Sequence, residues 1–212
     1  MKTTKIIATM MTLSMLAAAF AGCLGGDDDD EKTTVKIGFL NPITGDLEPN
    51  APVFKWSADQ AIGDLTAMYP DYNFELIEAD SGCSETMAGP AAQTLVDSGV
   101  YAVVGAACSG ASMAANAVLS AAGIPMISYA STNPGLSDAS AYPMFYRNVP
   151  SDAIQGPAGA DMMTDAGVAD GALAVFGMTN DYGAGLADAV VDAWGSDKLC
   201  DVGRYDYAET DT

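Results

Sequence analysis

From residue 35 onward, short apolar runs alternate with longer stretches whose apolar residues recur every three or four positions. Val35–Leu40 reads as a buried strand. Phe54, Ala58, Ala61, Ile62, Leu65 and Met68 share one helical face and predict a helix over Phe54–Met68. Tyr72–Ala79 reads as a second strand, and the helix after it ends near Gly99, with Pro90 predicting a late start or a kink. Tyr101–Ala106 is a third strand, followed by a helix over Ser109–Ala122 that Gly123 stops. Ile124–Tyr129 and Met144–Asn148 complete the set as strands four and five.

Strands that alternate with helices imply an α/β fold whose parallel sheet is covered on both faces. Residues 34–149 form one such doubly wound unit, and Pro150 and Ser151 mark a crossing point. Residues 150–212 begin a second unit, with a helix near Ala153–Ala166 and a strand at Ala172–Met178. A helix over Gly183–Trp194 and a strand over Leu199–Tyr207 follow. The 212 residues are 50% hydrophobic but only 8% aromatic, with abundant alanine and glycine. That composition favours helices seated close on a sheet through small residues.

The segment before residue 34 has a different logic. Lys2 and Lys5 precede an apolar stretch from Ile6 to Phe20, which describes an export signal over residues 1–22. The run Phe20-Ala21-Gly22-Cys23 resembles a lipobox, in which Cys23 receives the lipid and becomes the mature N-terminus. Residues 23–33, with four consecutive aspartates, then form a lipid-anchor segment and hydrated tether. The alternative is an uncleaved anchor, since Ile6–Gly26 is about long enough to span a bilayer. Either way, the domain is expected outside the cytoplasm, held to the outer face of the cell membrane.

Charge and missing residue types narrow the chemistry. The formal net charge is −20, which repels nucleic-acid phosphates and anionic headgroups, so no nucleic-acid partner is expected. Two explanations of the acid excess stand side by side: solubility at high salt, or an ordinary acidic secreted protein. There are no histidines, which removes Ser-His-Asp and Cys-His catalysis and histidine metal sites. No catalytic residue, metal or cofactor is expected, and the chain does not read as an enzyme. An acid pair such as Asp80 with Glu85 is better read as solvated loop residues than as a hydrolytic dyad.

Ligands of open parallel sheets sit beyond the carboxyl ends of the strands. After strand three, Cys108-Ser109-Gly110-Ala111-Ser112 opens a helix. Ser109 is placed either as a plain helix cap or at an anion site made by the free amides of the first turn. After strand four, Tyr129-Ala130-Ser131-Thr132-Asn133-Pro134 brings two hydroxyls to the same edge. Cys83 follows strand two and Cys108 follows strand three, so an exported chain is expected to join them. Such a disulfide closes a loop of about 25 residues and stabilises by roughly 3–4 kcal/mol. Thiolate reactivity and metal binding are the weaker alternatives, and Cys200 has no partner in the chain. In the second unit, Asn180-Asp181-Tyr182-Gly183-Ala184-Gly185 follows a strand. Its two glycines permit close backbone approach, and Tyr182 overhangs a cleft between the units. Asp188 stands where a dinucleotide fingerprint needs a third glycine, and no GxxxxGK[ST] loop occurs.

Five segments together resemble type I periplasmic binding proteins, and within them the subfamily that serves branched-chain amino-acid ABC transporters. They are VKIGFLNPITGDL, VVGAACSGAS, ISYASTNPGL, FYRNVPSDAIQGP and NDYGAGLADAV, in that order from about Val35 to Tyr207. The resemblance implies two α/β lobes that close over a ligand, with the second lobe incomplete within these residues. By position, Ser109 and Thr132 then bind a ligand carboxylate. The Ala130 carbonyl and the Thr132 hydroxyl accept from its ammonium, Ser131 lies in the same ligand loop, and Tyr182 closes from the second lobe. The Cys83–Cys108 pair matches a disulfide of amino-acid-binding members. Asn50 stands where an aromatic residue lines the pocket in the subfamily, with Phe54 and Trp56 nearby. The family chain also runs well past this length, so these residues read as its N-terminal portion. The implied function is capture of an amino acid, of the branched-chain class, for delivery to an ABC importer permease. The alternative is a sensing receptor domain of the same fold that binds an amide, urea or amino acid.

Overall fold

The computed structural model describes residues 32–208. The expectations of a signal peptide over 1–22, lipidation at Cys23 and most of the acidic tether lie outside those residues. Among the described residues, no helix is long and apolar enough to cross a membrane.

Five strands form the first sheet: β1 (Thr33–Asn41), β2 (Tyr72–Asp80), β3 (Ala102–Val104), β4 (Met126–Ser128) and β5 (Phe145–Arg147). Their spatial order is β2-β1-β3-β4-β5, and β1–β3, β3–β4 and β4–β5 pair in parallel. Strands three to five are shorter than their apolar runs predict. Backbone bonds extend the ladders slightly, from Tyr101 N to Lys36 O (2.9 Å) and from Gly105 N to Ile127 O (2.8 Å). Beyond them the chain turns away to build the loops described below.

Helices α1 (Ala51–Met68), α2 (Glu85–Asp97) and α3 (Ser109–Ala121) connect the strands. Right-handed crossovers put α1 on one face and α2 and α3 on the other, because the chain reverses direction across the sheet after β2. Adjacent side chains of β1 show both faces filled. Leu40 lies in the main core with Ala88, Ala92 and Leu95 of α2 and Ala111, Ala115 and Leu119 of α3. Phe39, on the opposite face, stacks near Tyr129, with ring centroids 6.0 Å apart, and Phe54 of α1 reaches the same ring at 5.1 Å. Ala88, Ala92, Ala111 and Ala115 of α2 and α3 share one core with Leu40, Val103 and Met126 of the strands, which bears out the expectation of small residues between helices and sheet.

Three helix expectations need correction. The first helix begins at Ala51, with a proline in its first turn, where the missing N–H costs nothing. On its expected apolar face Ala61 and Met68 are exposed. The second helix starts directly after Ser84 and runs through Pro90; the carbonyl that Pro90 leaves unpaired belongs to the exposed first turn.

The second lobe contains α4 (Asp152–Asp165), β6 (Leu173–Met178), α5 (Asp181–Trp194) and β7 (Leu199–Tyr207). β6 and β7 pair in parallel as a separate two-stranded sheet. Gly156 of α4 lies against Ala189 of α5 so tightly that a Cβ on it would meet the Ala189 carbonyl carbon at 2.5 Å. From Thr34 on, both sheets belong to one compact unit.

Candidate functional site

A 2-1-3-4-5 strand order has its switch point between β1 and β3, where neighbouring crossovers leave the sheet in opposite directions and open a crevice at the carboxyl ends. The loops after β3 and β4 lie at this edge. Three serines hold them together. Ser128 Oγ donates to Ala106 O at 2.6 Å and accepts from Ser131 N at 2.9 Å. Ser112 Oγ donates to Ala106 O at 3.1 Å and shares a 2.8 Å hydrogen bond with Ser131 Oγ. The disulfide between Cys83 and Cys108, with Cα atoms 5.2 Å apart, ties the loop after β2 to the same frame.

Ser109 is buried, and its hydroxyl oxygen accepts from Asn133 N at 3.2 Å. It is not the helix cap: Cys108 occupies that position, without a side-chain hydrogen bond, and Ser109 is the first helical residue. The first amides of α3 have no partner within the helix. Ala130 is half-buried, with its N–H directed to Ser128 Oγ at 3.3 Å. The Ser131 hydroxyl is turned into the serine cluster and lies 3.1 Å from Ala107 O. Its part is to hold the loop.

Thr132 makes a reciprocal contact with the start of the second lobe. Its hydroxyl donates to Asp152 Oδ2 at 2.8 Å, and Asp152 N donates to Thr132 O at 2.9 Å. Asp152 is fully buried, and its Oδ1 accepts no hydrogen bond among the described residues. Burial pushes its carboxyl above the usual range, against the lowering effects of the Thr132 hydroxyl and the Arg147 charge. Arg147 in turn donates to Asn133 O at 2.9 Å and to Ser137 Oγ, fixing the loop from below. Donors on Ser109 and in the first turn of α3 lie in one loop, and the buried acceptor Asp152 stands beside Thr132 of the next. This arrangement suits a ligand that is anionic at one end and cationic at the other.

Two contacts bring the second lobe against this edge. Asn133 Nδ2 donates to Asp181 O at 2.5 Å. A Cβ on Gly185 would stand 2.5 Å from the same Asn133 nitrogen, so the absence of a side chain there is what permits the approach. The expectation of close backbone approach at Gly183 and Gly185 thus divides: Gly183 packs within its own lobe against Met178, and Gly185 packs across the joint. Tyr182 is 44% exposed beside Asp181, with no hydrogen bond to Ser109 or Thr132. A cavity of about 650 Å³ opens next to the joint, lined by Asn133, Gly135, Pro157, Gly185, Asp188 and Asp192 among others. It runs along α4 and α5 and includes none of Ser109, Ala130, Ser131, Thr132 or Tyr182. Trp56 is 64% exposed, whereas Phe54 reaches Tyr129. Among the described residues, no cluster of three or more Cys, Asp or Glu side chains could hold a metal ion.

The pattern of the family described as "Receptor family ligand binding region" matches residues 55–208. The chain belongs to that family. The Leucine-specific-binding protein of Salmonella typhimurium is 30% identical over 195 residues, covering 90% of this chain and 49% of that protein. The Leu/Ile/Val-binding protein of Escherichia coli K12 is 27% identical over 179 residues, covering 84% and 47%. Among solved structures, the branched-chain amino acid transporter substrate binding protein LivJ of Streptococcus pneumoniae, in complex with isoleucine, superposes with a TM-score of 0.71. It is 26% identical, covering 84% of this chain and 50% of that one. The chain therefore spans about half the length of the curated relatives it matches, and its α/β architecture is that of the type I periplasmic binding fold.

Three residues of the site escaped the sequence reading. Asp152 follows a serine at a helix start, where an acid is ordinarily a favourable partner of the helix dipole. Asn133 precedes a proline and reads as a turn residue. Arg147 ends a short strand. Of the acid pair Asp80 and Glu85, expected as solvated loop residues, Asp80 accepts from Thr44 Oγ1 at 2.7 Å and from Gly82 N at 2.8 Å. Glu85 turns to Asp181 instead.

Proposed function

We propose that the protein is a solute-binding protein that captures an amino acid, of the branched-chain class, between its lobes. The observation that carries the reading is the buried Asp152 Oδ1 without a partner beside Thr132. An ammonium group placed there satisfies a carboxylate that burial otherwise penalises. The Thr132 hydroxyl donates to Asp152 and keeps its lone pairs for the same ammonium, with the Ala130 carbonyl as a further acceptor. The ligand carboxylate then faces Ser109 Oγ and the first-turn amides of α3. Tyr182 covers the ligand from the second lobe. No bond is made or broken, and capture is the whole of the chemistry. The branched-chain assignment is supported by the names of the relatives above.

Cys23 carries a lipid that holds the protein to the outer face of the cell membrane, and an ABC permease receives the ligand. Cys23→Ser is expected to move the protein from the membrane fraction to the medium. The family description supports a second reading, a sensing receptor domain of the same fold that binds an amide, urea or amino acid. Co-purification with a permease favours import, and co-purification with a kinase favours sensing.

The direct test is calorimetric titration with leucine, isoleucine, valine, urea and acetamide. Ser109→Ala and Thr132→Val are each expected to weaken amino-acid binding about 10-fold or more, the scale of a hydrogen bond to a charged group. Unchanged affinity in both variants refutes the site. Affinity is also expected to fall as pH drops through the raised Asp152 pKa, because the protonated carboxyl no longer attracts an ammonium.

A further inference from the structure

Glu85 and Asp181 come from opposite lobes and stand at the first positions of α2 and α5. Both crowd Gly110 in the first turn of α3. A Cβ built on Gly110 would lie 2.6 Å from Asp181 Oδ2 and 3.1 Å from Glu85 Oε1. Two carboxyl groups so placed need a cation or a proton between them. The described cations are engaged elsewhere. Lys36 donates to Ser98 O, Lys55 pairs with Asp59, and Lys198 with Asp170. Arg204 pairs with Asp188 and Asp206, and Arg147 holds the 131–137 loop. Lys32, at the edge of the described residues, is exposed.

We propose that Glu85 and Asp181 form a proton-dependent latch that holds the two lobes together. One shared proton makes a carboxyl–carboxylate hydrogen bond; loss of that proton leaves two like charges across the joint. The proposal rests on the reading that the lobes close over a ligand.

The shared hydrogen bond, the neighbouring Asp181 charge and then burial raise Glu85 above its ordinary 4.5. A carboxyl with a raised value in the closed form binds more protons there than in the open form. Closing is therefore favoured as pH falls through the raised value, and the effect is complete below about the ordinary one. The other titratable groups nearby are accounted for. Asp152 of α4 faces Thr132, Asp80 at the end of β2 faces Thr44, and Asp188 of α5 faces Arg204. The turn at Asn133 and the first turn of α3 contribute none, and Cys83 and Cys108 are bonded. Tyr182 adjoins Asp181 in sequence.

The test is small-angle scattering of the ligand-free chain at pH 4 and pH 8, in a chelator and moderate salt. The wild type is expected to be compact at pH 4 and more open at pH 8. Glu85→Gln and Asp181→Asn, whose amides donate the hydrogen bond without a proton, are expected to be compact at both. A leucine titration at pH 8 is expected to show Glu85→Gln binding about 5-fold tighter than wild type, with no difference at pH 4. Identical pH dependence in wild type and both variants overturns the latch. If leucine binds but the scattering difference is absent, the latch fails and the binding reading stands. If the scattering difference is present and no amino acid binds, the binding reading fails and the latch stands.

Discussion

The two sheets of this protein are built from the same kinds of residue and reach different ends. In the first lobe, helices cover both faces, and β1 buries Phe39 and Leu40 on opposite sides to 2% and 0% exposure. In the second lobe, α5 seats on β6 through Gly177 and Ala187, while Phe176 and Tyr205 on the other face are 64% and 55% exposed. A strand's alternation decides which residues share a face, but whether a face is buried depends on what the topology brings to it. The first lobe therefore supplies the rigid edge on which the site loops are hung. The second meets this edge at Asn133 and Asp181.

The largest expected effect breaks the rigid partner. Leu95→Ala empties a fully buried position between α2 and the sheet and is expected to cost about 2–5 kcal/mol in denaturant unfolding. Reducing the Cys83–Cys108 bond, which spans 25 residues, is expected to cost about 3.5 kcal/mol, read as a lower midpoint under reductant. In the second lobe, Gly156→Ala forces α4 from α5 and is expected to cost about 1–3 kcal/mol. Phe176→Ser is expected to change stability by less than about 0.5 kcal/mol, because its ring is already in solvent. A large loss from that last substitution would show that the exposed face is covered in solution, and the contrast between the lobes would fall. Amide exchange should rank the regions in the same order, slow in β1 and β3 and faster in β6 and β7.

Much of this architecture was legible in the chain, for a physical reason. Apolar runs bounded by turns, as at Val35–Leu40 and Leu173–Met178, carry their own periodicity, so the order of strands and helices could be read directly. The loops at the sheet edge could be located because the topology fixes where ligands sit. Side-chain direction was not legible. Ser131 and Thr132 are adjacent hydroxyls in one loop, yet one turns into the serine cluster and the other toward Asp152. That choice depends on partners 20 residues away or across the sheet, which no local pattern records. The Glu85–Asp181 contact was equally hidden, since its two members lie in different lobes.

The central claim is that an amino acid binds at the edge of the first sheet, between Ser109, Thr132 and Asp152, and is covered by the second lobe. Amide hydrogen exchange of the intact chain with and without saturating leucine tests it most directly. The account predicts new protection in residues 105–112 and 129–133, with a smaller gain at 180–185 where the second lobe closes. Protection confined to the α4–α5 cavity, or no ligand-dependent protection at all, would contradict it.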